Sequence, residues 1–121
     1  MNLLAIALGG AIGSVARYVL TGFIVRLGGP TFPLGTFVVN VIGCCVFGAL
    51  AGLTSARLSI SPEVRLFWFT GILGGFTTFS SYAFESFLLV REGHFLAAGV
   101  NIAGQVLLGL VTLAAGYYAT T

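Results

Sequence analysis

Four apolar stretches fill almost the whole chain: Asn2 to Val25, Leu34 to Ala56, Leu66 to Phe84 and Phe95 to Ala119, with Arg17 the one charge inside them. A bilayer's hydrocarbon core is about 30 Å thick, and a helix needs roughly 20 apolar residues to cross it. Each stretch is of about that length. Composition leaves little room for a water-soluble alternative. The 121 residues are 58% hydrophobic and only 7% charged, with a mean hydropathy of +1.09, too little polar surface for a soluble domain of this size. The expectation is an all-α, multi-pass membrane protein. Residues 1–121 form one transmembrane domain, with four spans near 2–26, 34–57, 62–91 and 95–119. The first stretch has no side-chain charge before Arg17 and runs on to spanning length, which does not fit a cleaved secretory leader.

The breaks between spans are short. Gly28, Gly29, Pro30 and Pro33 mark the first turn, Arg57 to Pro62 the second and Arg91 to His94 the third. Ser61 is placed to cap the next helix, with Pro62 in its first turn and Glu63 complementing the helix dipole. Connections of this length make successive helices antiparallel neighbours and leave no room for a soluble catalytic domain. Orientation normally follows an excess of Lys and Arg on the cytoplasmic side. Here Arg57 and Arg65 fall on the side of the termini, and Arg26 and Arg91 on the other. The balance predicts insertion both ways round and an antiparallel, dual-topology dimer. Gly9/Gly13 and Gly48/Gly52 are small-xxx-small pairs suited to close helix packing. Adjacent Cys44 and Cys45 read as small buried hydrophobes rather than a disulfide or a metal site, and a net charge of +2 implies no nucleic acid partner.

Polar residues at bilayer depth face the bundle interior or a watery path. Thr36, Asn40, Gly43 and Phe47 share one face of the second span by helical spacing. Asn101, Gln105 and Thr112 share a face of the fourth. Thr78, Ser81 and Glu85 form a stripe on the third, with Phe79 and Tyr82 beside it. His94 reads as an interfacial loop residue, and Tyr117 and Tyr118 as interface anchors.

The third span carries the least ordinary stretch, "GGFTTFSSYAFE", from Gly74 to Glu85. Gly71, Gly74 and Gly75 weaken a helix where hydrocarbon penalises unpaired backbone most. Irregular backbone survives at that depth only where protein buries it or where it lines a cavity. Freed carbonyls are hard ligands for a cation such as Na⁺. The Thr and Ser hydroxyls beyond them can donate to an anion, and Phe79 and Tyr82 offer the positive rim of their rings. Weak, repeated sites without a fixed positive charge are what conduction of a small anion requires.

Three motifs, "GGAIGSVARY" from Gly9, "GTFVVNVIGCCVFG" from Gly35 and "GILGGFTTFSS" from Gly71, make the chain resemble the Fluc/CrcB family of fluoride channels over essentially its whole length. The resemblance implies a four-helix, dual-topology antiparallel homodimer that exports fluoride passively through two pores, with a structural Na⁺ at the dimer centre. It implies Na⁺ ligation by the backbone carbonyls of Gly74 and Thr77. It also implies a fluoride pathway that includes Phe79, Tyr82 where the family usually has a second Phe, Asn40, the hydroxyl run Thr78, Ser80 and Ser81, Glu85, and Arg17 at a vestibule. On the fourth span, Asn101 and Gln105 stand where family members often carry Tyr and Ser, and Gln105 is assigned to the pathway. The alternative is a small multidrug-resistance-type antiporter exchanging cations for protons. That chemistry resembles one resting on a first-span carboxylate, and the first span here has Arg17 and no acid. A non-transporting scaffold leaves the three polar tracks unexplained. An intramembrane enzyme lacks a base near Ser80 or Ser81.

Overall fold

The computed structural model describes residues 1–28 and 31–121, all helix and short connections. The elements are α1 (Asn2–Gly28), α2 (Leu34–Ala56), α3 (Pro62–Arg65), a π-helical segment (Leu66–Leu73), α4 (Gly74–Phe76), α5 (Phe79–Arg91) and α6 (Phe95–Thr120). Of these, α1, α2 and α6 are each long and apolar enough to cross a membrane. The third span is a bent helix assembled from α3 to α5. Of the expected first turn, Gly29 and Pro30 lie outside the described residues. The second turn starts as expected: Ser61 is extended, its hydroxyl accepts from the Val64 N–H, and Pro62 follows. The third closes on Gly93, whose φ of 81° favours glycine.

Glycines decide which helices touch. A Cβ at Gly9 would meet the Phe67 carbonyl and Gly71, and one at Gly13 would run into the Ile72 carbonyl. Gly75 faces the Gly10 carbonyl in the same way. So α1 lies backbone to backbone on the first half of the third span. A second close pair joins α2 to α6, where Gly48 faces the Leu113 carbonyl, Gly52 the Tyr117 carbonyl and Gly116 the Cys45 carbonyl. Lipid tails are as apolar as side chains, so such pairs are held by dispersion at short range rather than by hydrophobic burial. Few apolar side chains are fully buried, Val39 and Ala98 among them, while most large ones face outward. Both cysteines are free.

One expectation about the break needs correcting. Gly71, Gly74 and Gly75 do not interrupt the helix. Gly74 keeps helical angles (φ −64°, ψ −36°), and the chain first leaves the helix at Thr77 (φ −86°, ψ 156°) and Thr78 (φ −148°, ψ 112°). Gly71 and Gly75 serve the approach of α1 instead. The break changes the span's partners: before it the chain packs on α1, and after it α5 packs on α6.

Because the Gly13 contact is with backbone, no rotamer change can relieve it. Gly13→Val should lower stability by at least about 2 kcal/mol, read as a fall in melting temperature in detergent. Gly22→Ala, where a Cβ meets nothing within 4 Å, should leave it nearly unchanged.

Candidate functional site

Among the described residues the N–H groups of Thr78, Phe79, Ser80 and Ser81 make no helical hydrogen bond across the break, and those of Thr78 and Ser81 are diverted to side chains. The Thr78 N–H, which would meet the Gly74 carbonyl four residues back, donates to Asn40 Oδ1 at 2.9 Å. The Ser81 N–H, which would meet the Thr77 carbonyl, donates to Thr78 Oγ1 at 3.2 Å. The Gly75 carbonyl is met from outside the span, by Arg17 Nε at 3.0 Å. The carbonyls of Gly74 and Thr77 thus lose their helical donors, and Gly74 is exposed at the surface of the chain. Backbone oxygens are the ligand type that hard cations take. Among the described residues no cluster of His, Cys, Asp and Glu offers a metal site of another kind.

Asn40 holds the break. Its Oδ1 takes the Thr78 N–H, and its Nδ2 donates to the Thr78 carbonyl at 3.0 Å and to Gln105 Oε1 at 2.8 Å. Both of its N–H groups are therefore engaged within the chain. From Gln105 the bonding continues: Nε2 donates to Asn101 Oδ1 at 2.9 Å, Asn101 Nδ2 to Ser86 Oγ at 2.9 Å, and the Ser86 hydroxyl to the Tyr82 carbonyl at 2.7 Å. Asn101 is 0% exposed. The path leaves α5 at its cap, crosses α2 and α6, and returns to α5 one turn on.

Beside this relay lies a groove of about 400 Å³, walled by Asn40, Gly43, Cys44, Phe47, Phe69, Leu73, Gly74, Thr77, Thr78, Phe79, Tyr82, Gln105, Val106 and Leu113. No Arg, Lys, Asp or Glu is among them. Gly43 leaves room for the Thr77 methyl. Phe79 is 78% exposed on the single chain, its ring 5.5 Å from that of Tyr82 and tilted by 49°. The Tyr82 hydroxyl donates to the Ile102 carbonyl at 2.9 Å. That bond ties α5 to α6 and leaves the ring in the wall, as a phenylalanine would be.

Of the residues singled out from the sequence, Asn40, Gly74, Thr77, Thr78, Phe79, Tyr82 and Gln105 meet at this groove. Ser80 and Ser81 do not line it. They gather on Thr78 Oγ1, which donates to Ser81 Oγ at 3.0 Å and lies 3.4 Å from Ser80 Oγ. Glu85 sits further along α5, where Thr36 Oγ1 donates to its Oε1 at 2.8 Å. Its Oε2 is buried with no partner among the described residues. Arg17 lies behind the break rather than in the groove. Thr112 bonds the carbonyls of Val41, Leu108 and Gly109 and holds α6 to α2. Sequence reading passed over Ser86. Its position four residues after Tyr82, on the α5 face that meets α6, was the available sign.

Comparison with known proteins gives one consistent answer. Residues 4–117 match the family described as CrcB-like protein, Camphor Resistance (CrcB). A Maridesulfovibrio salexigens protein named Fluoride-specific ion channel FluC is 47% identical over 113 residues, covering 93% of this chain and 90% of the relative. Proteins of the same name from Methylobacillus flagellatus and Opitutus terrae are 47% and 46% identical, covering 96% of this chain and 91% and 89% of theirs.

Thr78 caps α5 through its hydroxyl. Thr78→Val should cost about 1 kcal/mol and Thr78→Ser much less, a ranking that thermal unfolding in detergent can check.

Proposed function

This chain belongs to the CrcB-like family, and from that membership we propose that it is a fluoride-selective ion channel, letting fluoride leave the cell passively. The observation that carries the reading in structural terms is the groove at the break of the third span. It combines aromatic rims and amide groups with no ionised side chain. A fluoride ion entering it leaves part of its hydration and meets the positive edges of Phe79 and Tyr82 and the N–H of Gln105. None of these is a full charge, so the ion is held weakly enough to move on. Asn40 acts by pinning the Thr78 peptide and keeping the wall in place. Thr78 supplies the hydroxyl in the groove wall, Ser80 and Ser81 back it from outside the lining, and Glu85 with Thr36 continues the polar track along α5. Arg17 contributes positive potential from behind the break while its guanidinium holds the Gly75 carbonyl.

Na⁺ is the cofactor this reading implies, held by the carbonyls of Gly74 and Thr77. Both have lost their helical donors, which suits them to a hard cation, and the ion would supply fixed positive charge that ties the break in place. Two carbonyls fall well short of a cation's usual complement of oxygen ligands, so a second copy is expected to supply the same pair. The balanced arginines support an antiparallel, dual-topology homodimer, in which the partner also covers the exposed ring of Phe79. The antiporter alternative has no carboxylate on α1 to work with.

Purified protein in liposomes should release fluoride and retain chloride, as measured with ion-selective electrodes. Phe79→Ile, which keeps apolar volume but removes the ring edge, should abolish efflux while the oligomer stays intact. Unchanged efflux would discard the role given to that ring. Tags on the termini should be accessible from both sides of the membrane in comparable amounts. A single orientation would exclude the dual-topology homodimer.

A further inference from the structure

Asn101 is buried out of reach of the groove, yet it belongs to the hydrogen-bonded path that ends there. The direction of that path is forced from one end. At Thr78 the N–H can only donate and the carbonyl can only accept, so Asn40 must present Oδ1 to the first and Nδ2 to the second. The remaining Asn40 N–H requires an acceptor, so Gln105 presents Oε1. Gln105 then offers Nε2 to Asn101, which receives it on Oδ1 and passes its own Nδ2 to Ser86 Oγ, and Ser86 donates to the Tyr82 carbonyl. Each group has one role. Gln105 spends one Nε2 hydrogen on Asn101. The other has no acceptor among the described residues, and the residue lines the groove.

We infer that Asn101 is a positioning residue for anion passage: its Oδ1 holds the Gln105 amide so that an N–H faces the groove while the carbonyl braces Asn40. The inference rests on the fluoride-channel reading above. Remove the Asn101 acceptor, and Gln105 is left with two unmet N–H groups beside an apolar pocket. The side chain can satisfy them by swinging into the groove, which takes its acceptor away from Asn40 and obstructs the wall. A carboxyl at position 101 behaves differently. Whether protonated or not, it still accepts from Gln105, and it exchanges a hydrogen bond with Ser86 in either state.

Packing and positioning therefore predict opposite rankings for two variants. Asn101→Leu suits an apolar interior, and Asn101→Asp does not. If the residue only packs, Leu should be the better tolerated in both stability and efflux. If it positions Gln105, Asn101→Leu should lose about tenfold or more of fluoride efflux, while Asn101→Asp stays within about threefold of wild type, even if Asp melts at the lower temperature. Efflux and melting temperature would be measured on protein recovered as an oligomer of wild-type size. Wild-type efflux from Asn101→Leu, or equal losses in both variants, overturns the inference. Should Asn101→Leu not fold, Asn101→Ala decides, because it removes the same acceptor without adding bulk. It should lose about tenfold, and wild-type efflux from it overturns the inference. A wild-type protein that releases no fluoride overturns both the inference and the channel reading, whereas active wild type with an unaffected Asn101→Leu removes the inference alone.

Discussion

A peptide group left without a partner in hydrocarbon costs several kcal/mol, and this constraint governs the middle of the third span. The chain abandons the helix at Thr77 and Thr78, and the Thr78 peptide is received on both sides by Asn40 of α2. Arg17 of α1 takes the Gly75 carbonyl, and the Thr78 hydroxyl takes the Ser81 N–H. Three elements thus supply part of what water would supply in a soluble protein, while the Gly74 and Thr77 carbonyls keep no donor among the described residues.

The glycine pattern follows from a related limit. Helices in lipid gain little from hiding apolar side chains from one another, so association depends on how closely backbones approach. Gly9 and Gly13 permit this against the first half of the third span, and Gly48, Gly52 and Gly116 between α2 and α6. The two tight pairs leave a looser seam between them. The groove lies along that seam, bordered by Gly43, Phe79, Tyr82 and Gln105.

Charged side chains are kept at a distance from the groove. Arg17 is anchored on a carbonyl behind the break, and Glu85 lies further down α5 with Thr36. The wall itself offers dipoles and ring edges. Such groups attract an anion without giving it a deep well, which is consistent with the uncharged lining and with conduction by weak sites. The Tyr82 hydroxyl shows how a polar group is kept out of the way: its bond to the Ile102 carbonyl uses it structurally and leaves the ring available.

Much was legible in the sequence because it depended on local periodicity. The length of the spans, the Ser61 cap, the glycine pairs and the polar faces of α2, α5 and α6 all follow from spacing along one helix, and span length from bilayer thickness. The match to three ordered motifs singled out Asn40, Phe79 and the hydroxyl run. What no single segment specifies is which donor meets which acceptor across helices. Asn40 and Thr78 are 38 residues apart, and Arg17 and Gly75 58. Only their packing together moved the break past the glycines to Thr77, drew Ser86 and Asn101 into one relay with Gln105, and turned the Tyr82 hydroxyl toward α6. Hydropathy and helical period act along the chain and can be read there. Hydrogen-bond partners across a bundle are chosen by three-dimensional distance and by the cost of leaving any group unmet, and the fold alone decides them.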